Sequence, residues 1–427
     1  MSPVRLLIVA AAVHVAATIT VFVIGHFQLL PGFFDPNGIG TTFAIDGATY
    51  QRLASQMATQ WQNYGLGPWL DIKAPLHCRL YSIPFAIAGR VVGHNVLAAE
   101  PLNLFYYLGT LSVVYLLGRE MFNERAGLLA AAIVAVWPSF LMHSTQLIRD
   151  PLAILCFLAL LLVMTLLLTH EFEWAPALGL GIAGSLLVTV FWLARGNMWT
   201  AIVVAVALGL LMLGFRMIRE RKFMAGNASV IMIVIVTMLL VPSRLESTTL
   251  GGVRPPVTPL AIPSASQPAP REGVWTRTIN QIKDRRAGFR FYTAQKSNIQ
   301  GDVQFESISD MVEFIPSAAL IGFGAPFPPM WFEAGTYGTA GRLLTGAETL
   351  VMYFLYGAVG VCLWRERRRL AMWLIFLTAT VGIIGLGLVV VNVGALYRIR
   401  YVFWIMMITL AAQGIYLTVR RTSATNS

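Results

Sequence analysis

The sequence predicts an all-α protein that crosses a membrane about ten times, and three observations support this fold class. Of the 427 residues, 57% are hydrophobic and only 12% are charged, about half the charge that is usual in a soluble domain. Several apolar runs exceed the ~18 residues that a bilayer-crossing helix requires. Short clusters of Lys and Arg separate these runs, as expected for a helical membrane bundle.

Composition also excludes several classes of protein. The net charge of +11 could indicate a nucleic-acid-binding protein, but the charges lie in short clusters between apolar runs. We therefore expect no nucleic acid partner. The cysteines Cys78, Cys156 and Cys362 are far apart, and two lie inside apolar runs, so they form neither a metal-binding spacing nor a disulfide framework.

The order of the spans follows from the basic clusters, which tend to stay on the cytoplasmic side. The first run, LLIVAAAVHVAATITVFVIG, is long enough to span and lacks a cleavage site of small residues, so we interpret it as a span. Placing the clusters 118–125, 216–222, 365–369 and 420–421 inside predicts ten spans with both termini cytoplasmic. The spans are expected at about 5–25, 101–118, 126–144, 151–169, 176–194, 197–215, 225–243, 346–364, 370–391 and 401–419.

The apolar segment 80–93 does not fit this series of spans. It is short and contains Pro84 and Arg90. A span here would reverse every later loop and place the cluster 365–369 outside. We therefore predict an interfacial or re-entrant helix on the outer face.

Five segments are then expected on the outer face: 26–100, the turn at Arg149-Asp150, the turn at 195–197, the region 244–345, and 392–400. The fourth is the most complex. It contains a Pro-rich linker, a charged stretch beginning at Thr276, and an apolar, proline-broken segment at 314–332 that we expect in the interface.

Asp46 stands at the membrane edge, ahead of a predicted amphipathic helix with Tyr50, Leu53, Met57 and Trp61 at helical spacing. Two interpretations are open. The carboxylate could cap the helix or sit in its first turn, where free backbone N–H groups favour an anion. It could also be a catalytic base.

The other polar residues of the outer face have similar pairs of interpretations. Asp150 precedes Pro151 and could be the N-cap of the fourth span, while Arg149 could reach the headgroups. Arg398 and Arg400 break the positive-inside pattern, so they are either interfacial anchors or phosphate-binding residues, and Arg195 sits at the same level. Lone histidines such as His77 and His143 could be metal ligands but are more often structural residues. These interpretations define the candidate site residues.

The order of these motifs resembles the GT-C membrane glycosyltransferases, in particular the group with protein O-mannosyltransferases and lipid A aminoarabinose transferases. In that group the first outer loop begins with Asp-x-x-x-Tyr, here Asp46 to Tyr50. A Lys-Pro or His-Pro-Pro element then precedes an interfacial helix, as do Lys73-Ala74-Pro75-Leu76 and 80–93. A span with a basic end follows (YLLGREMFNERAGLLAA), and then WPSFLMHSTQLIRDPLAI with Asp150.

The resemblance covers roughly residues 1–200 and, more loosely, the last spans. Together with the predicted topology, it divides the chain into three parts. Residues 1–243 would form the GT-C transmembrane module with the first outer loop 26–100. Residues 244–345 would form an outer region with interfacial segments, and 346–427 the C-terminal transmembrane helices. The protein would lie in a bacterial cytoplasmic membrane, with its active site facing outward.

The resemblance also implies a reaction. A sugar would move from a polyprenyl-phosphate donor to a lipid, glycan or protein acceptor, with inversion at the anomeric carbon. Asp46 would accept the proton of the nucleophile, and Asp150 would orient an Arg or the acceptor, or hold a divalent cation. The family often has a second acid after the first, where this chain has Gly47, and the sequence offers no clear ligand cluster, so the cofactor is left open.

The remaining candidates would bind the substrate. The positive charges expected to neutralise the leaving phosphate are those of Arg195, Arg398, Arg400 and Lys73. Tyr50, four residues after Asp46, and Arg149, directly before Asp150, are also expected to bind the substrate. Membrane lipids would surround the whole site.

Two other functions fit parts of the pattern. A surface-polysaccharide polymerase or ligase would also have many spans and outer arginines, such as those in RRAGFR at 285–290. A lipid or solute transporter or flippase would need ionisable groups deep in the spans. The predicted spans are nearly free of them, which favours the glycosyltransferase.

Overall fold

The computed structural model describes residues 2–29, 45–245, 274–291, 298–333 and 338–425, and these residues are almost entirely helical. The beginning of the first outer loop and most of the Pro-rich linker lie outside the described residues. Within the described ranges the β-pairing reported is a single bridge between Asn298 and Asn392. The helices are α1 (Pro3–His26), α2 (Ile45–Tyr64), α3 (Leu66–Asp71), α4 (Leu76–Val92), α5 (Val96–Met121), α6 (Glu124–Ala135), α7 (Pro138–Ser144), α8 (Asp150–Thr169), α9 (Trp174–Arg195), α10 (Trp199–Glu220), α11 (Ala225–Arg244), α12 (Val274–Phe291), α13 (Ile308–Gly324), α14 (Gly338–Arg365), α15 (Leu370–Val389), α16 (Val393–Ile399) and α17 (Tyr401–Thr425).

The described helices include eight segments that are long and apolar enough to cross a membrane, or nine if the pair α6 and α7, bent by 69°, forms one crossing. The chain is therefore an integral membrane protein. One of the eight segments, Trp174–Glu220, consists of two 22-residue helices, α9 and α10. Each is about 33 Å long, enough for one crossing of a ~30 Å core.

The direction of α9 and α10 shows that they are separate crossings. Arg195, at the end of α9, forms an ion pair with Asp150 at the start of α8. Arg216, near the end of α10, donates to the carbonyls of Leu167 (3.0 Å) and His170 (2.8 Å) at the end of α8. Counting α9 and α10 separately, and the bent pair as one, gives the ten spans that the sequence predicts.

The first compact unit of the chain comprises residues 1–249, 350–380 and 401–427. We call one of its faces the site face, where α1 ends and α5 begins. Phe22, late in α1, packs against the buried cluster that contains Val96 and Ala99 of early α5. Since α1 ends where α5 begins, α4 between them does not cross the membrane, which supports the interfacial helix predicted at 80–93.

The interfacial helices α2 and α4 pack against one another through small and aromatic side chains. Ala54 and Ala58 of α2 are fully buried in the same cluster as Tyr81 and Phe85 of α4. The helical spacing predicted for α2 is confirmed in register, since Tyr50 and Met57 are both buried.

The opposite face of this unit carries the basic clusters. Arg369 donates to the carbonyl of Met121 (2.6 Å), and Lys222 pairs with Glu171 (2.7 Å). Glu120 pairs with His170 (2.7 Å), which links the end of α5 to the end of α8. The clusters 118–125, 216–222 and 365–369 therefore share one face, as the predicted topology requires.

The second compact unit comprises residues 250–349 and 381–400. Its core is a buried apolar cluster that includes Phe305, Phe314 and Ile321. Arg286 of α12 lies over the first two rings, at 5.2 Å from each centroid, and donates to the carbonyls of Gln300, Val303 and Leu388. The three-part organisation predicted from the sequence stays a prediction, because compact units need not coincide with functional domains.

The topology predicts which sites are labelled from which side of the membrane. Lys73→Cys, Arg90→Cys and Asn197→Cys place a thiol at exposed positions of the site face, and Arg368→Cys places one on the opposite face. The three native cysteines are buried, so their background should be low. In sealed vesicles, an impermeant maleimide should label the first three variants from one side and Arg368→Cys from the other. Opposite labelling of positions 73 and 90 would show that α4 crosses the membrane.

Candidate active site

Asp46 lies in the first turn of α2 and is half-buried. In that position the unpaired backbone N–H groups of the helix start favour a carboxylate. One turn later, the buried ring of Tyr50 meets His77 of α4 edge-on, with ring centroids 4.3 Å apart. The helix that carries Asp46 in its first turn thus also packs the ring of Tyr50 against the start of α4.

Asp150 and Arg195 form an ion pair whose side chains are each only 4% exposed. Asp150 is the first residue of α8, one position inside the N-cap that the sequence predicts, and Arg149 occupies the cap position. Arg195 is the last residue of α9. The pair therefore joins the start of one span to the end of the next at the site face.

The charges of these segments act on His77. Burial is the main cause that lowers the pKa of His77 to about 3, and the positive charge of Arg149 is the second. The carboxylate of Asp46 opposes this shift, and Arg195 adds to it. His77 is therefore a neutral imidazole at physiological pH, and Asp46, Arg149 and Arg195 each lie within electrostatic range of it.

The loop 145–149, which carries Arg149, is anchored to α1 and α5 on one side. Ser144, just before the loop, shares a hydrogen bond with His14 Nε2 (3.1 Å), and His14 Nδ1 contacts the carboxylate of Glu100 (2.8 Å). The hydroxyl of Thr18 donates to the same carboxylate (2.6 Å). His14 and Glu100 are ionisable groups within spans that the sequence analysis treated as nearly free of them.

A second anchor holds the same loop to α4. The hydroxyl of Tyr81 is fully buried and bonds to Asn103 Oδ1 (2.9 Å) and to the backbone carbonyl of Ile148 (3.1 Å). Burial raises the pKa of Tyr81, so its hydroxyl stays protonated and can donate. The two anchors fix the position of Arg149 and Asp150 through side chains of three helices.

The remaining predicted site residues lie elsewhere. Lys73 is exposed between α3 and α4, and within the described part of the chain no hydrogen bond or ion pair joins it to the other candidates. Arg398 and Arg400 belong to the second compact unit. There, Arg400 is fully buried, donates to the carbonyl of Gly322 (2.8 Å) and lies over the ring of Tyr397, whereas Arg398 is half-buried.

The first unit thus brings together five of the predicted residues: Asp46, Tyr50, Arg149, Asp150 and Arg195. It adds His77, which the sequence marked only as a lone histidine. Its neighbours come from three other segments of the chain, so sequence spacing carried no signal for their proximity. Among the residues that the structure describes, no group of three or more His, Cys, Asp or Glu side chains could hold a metal ion.

Comparison with known proteins finds one family model that matches part of this chain. Residues 105–261 match the family model described as oligosaccharyl transferase STT3, N-terminal. The match confirms the predicted resemblance to GT-C membrane glycosyltransferases, and the matched stretch includes Arg149, Asp150 and Arg195. No curated protein sequence matches the chain.

Two solved structures are similar to the chain at low identity. AglB, an archaeal oligosaccharyltransferase from Archaeoglobus fulgidus in complex with an inhibitory peptide and a dolichol-phosphate, aligns over 96% of this chain at 13% identity, with a TM-score of 0.46. ArnT from Cupriavidus metallidurans, bound to undecaprenyl phosphate, aligns over 94% of this chain and 77% of its own length, at 13% identity and a TM-score of 0.38. The chain spans only 52% of the length of AglB.

The buried ion pair predicts a large loss of stability when one partner is removed. Asp150→Asn or Arg195→Gln leaves the other charge buried without its counter-ion, which costs about 3–5 kcal/mol. Thermal unfolding in detergent should show both losses, and the double variant should lose less than the sum.

The pair between Lys222 and Glu171 is the matched control, because its side chains are 60% and 43% exposed. Glu171→Gln should change stability by less than about 1 kcal/mol. If Asp150→Asn were as mild as this control, the ion pair would not constrain the fold.

Proposed function

We propose that the protein is a membrane glycosyltransferase that moves a sugar from a polyprenyl-phosphate donor to an acceptor, with inversion at the anomeric carbon. The observation that carries this proposal is the grouping of Asp46, His77, Arg149, Asp150 and Arg195 at one face of the helical bundle. A carboxylate and two guanidinium groups at one face suit a reaction that removes a proton and releases a phosphate.

Asp46 is the general base in this proposal. It takes the proton of the acceptor nucleophile as that nucleophile attacks the anomeric carbon, and the bond from this carbon to the phosphate oxygen breaks. One displacement inverts the configuration. The first turn of α2 supports the role, because the helix fixes the direction of the side chain while leaving it half-buried.

The leaving polyprenyl phosphate gains negative charge, which guanidinium groups stabilise through charge-assisted hydrogen bonds. Arg149 is the first candidate, since its buried Nε has no hydrogen-bond partner within the described ranges. The ion pair with Asp150 holds Arg195 at the same face of the bundle. We assign further phosphate contacts to Arg398 and Lys73, and a substrate contact to Tyr50. Arg400, which the sequence placed with them, is fully buried and donates to the carbonyl of Gly322, so we assign it a structural role.

The membrane placement is part of the same proposal. The site face would look outward from a bacterial cytoplasmic membrane, and both termini would be cytoplasmic because the basic clusters lie on the opposite face. The acceptor would be a lipid, a glycan or a protein that reaches this surface.

A polysaccharide polymerase or ligase is less well supported. The sequence evidence for this function was the group of arginines at 285–290. Arg286 is buried, however, and donates to three backbone carbonyls. That side chain stabilises the second unit and is not available to a substrate.

The base assignment predicts a large loss of activity with a small loss of stability. Asp46→Asn should lower sugar transfer by about 10²–10⁴-fold, the usual contribution of general acid–base catalysis. The assay is transfer of labelled sugar from polyprenyl-monophosphate donors to membrane acceptors. Asp71→Asn, at an exposed carboxylate ending α3, is the control and should retain activity. Full activity of Asp46→Asn would contradict the assignment.

The two outer arginines should behave differently. Arg398→Gln should raise KM for the donor by about tenfold with little change in melting temperature, because a charge-assisted hydrogen bond contributes about 1.5–3 kcal/mol. Arg400→Gln should instead lower the melting temperature, because Arg400 is fully buried and donates to Gly322. Equal KM and equal melting temperature for wild type and Arg398→Gln would remove Arg398 from the donor site.

A further inference from the structure

His77 is a buried polar side chain with unsatisfied hydrogen-bonding groups. It is 2% exposed, and neither ring nitrogen has a hydrogen-bond partner in the described part of the chain. Leaving such a group unpaired is costly, and buried histidines normally find a partner. A lone histidine is more often a satisfied structural residue, so the observed state of His77 points to a missing ligand.

The groups around His77 in the described part of the chain determine the protonation state of its ring. Tyr50 faces the imidazole with a ring contact. Burial is the main cause that lowers the pKa of His77, and the positive charges of Arg149 and Arg195 add to it, so the ring is neutral. A neutral imidazole presents one N–H donor and one nitrogen acceptor. Neither has a partner among the residues that the structure describes.

These two groups select the chemistry of the ligand. A phosphate dianion offers only acceptors, so it could pair with the N–H but not with the other nitrogen. A hydroxyl group both donates and accepts, and neighbouring hydroxyls on a sugar ring can serve both nitrogens. The guanidinium groups nearby are better suited to the phosphate than His77 is.

We propose that His77 binds hydroxyl groups of the transferred sugar, and that it determines which sugar the enzyme accepts. The proposal rests on the proposed glycosyltransferase function and assigns a contact to the sugar itself. His77 orients the sugar ring so that its anomeric carbon faces Asp46, while the arginines hold the phosphate.

The test compares glycosylated and bare lipid phosphates. The protein in nanodiscs is titrated with undecaprenyl phosphate and with undecaprenyl phosphates that carry a hexose, an N-acetylhexosamine or a pentose, and binding is followed by native mass spectrometry. The variants are His77→Phe, which keeps the ring contact with Tyr50, His77→Gln, which keeps one donor and one acceptor, and the control His94→Phe, at a histidine stacked on Phe85.

The wild type should bind at least one glycosylated lipid about tenfold or more tightly than the bare lipid phosphate, since about 1.4 kcal/mol of hydrogen bonding corresponds to tenfold. His77→Phe should bind the bare lipid phosphate normally and lose this preference. His77→Gln should recover part of it, and His94→Phe should keep it. Normal binding of the bare lipid shows that a variant is folded.

Three results would overturn the inference. The first is a preference for the glycosylated lipid that survives in His77→Phe. The second is a wild type that binds glycosylated and bare lipids equally, which leaves the phosphate site intact without a sugar contact. The third is a ¹⁵N signal of His77 that shifts with diamagnetic Zn²⁺ alone and not with glycosylated lipid, which would make His77 a metal ligand. Failure of the wild type to bind any lipid phosphate would reject the glycosyltransferase proposal itself.

Discussion

The buried ion pair between Asp150 and Arg195 is the interaction on which the candidate site depends. Two charges removed from water are tolerated only when they meet each other, because either one alone would be strongly destabilising. The pair therefore ties the start of α8 to the end of α9. Since Arg149 immediately precedes Asp150, the same constraint fixes the guanidinium that acts on His77.

Polar contacts within the membrane bundle extend this constraint. The loop 145–149 is bounded by Ser144, whose hydroxyl meets His14, and it offers the carbonyl of Ile148 to Tyr81. Glu100 completes the first of these anchors through His14. Ionisable groups in spans are usually functional, and here they position a loop at the membrane surface. This explains how irregular backbone can hold a site beside an apolar bundle.

The sequence could predict the spans and their order, because apolar runs and basic clusters are local features that obey bilayer physics. It could also predict that Asp46 begins a helix. The burial of Arg400, Arg286 and His77 depends on packing between segments far apart in sequence. Spacing within one segment cannot predict such contacts, so two outer arginines with the same sequence signal acquire different surroundings.

The central claim is that the cluster at the site face holds the reacting end of the donor. The most direct measurement is a cryo-EM map of the protein in nanodiscs with a non-hydrolysable glycosyl phosphonate on an undecaprenyl chain. The account predicts sugar density between Asp46 and His77, with the anomeric carbon facing the carboxylate and the phosphonate beside Arg149. Sugar density away from Asp46 and His77, with the phosphonate bound elsewhere, would contradict it.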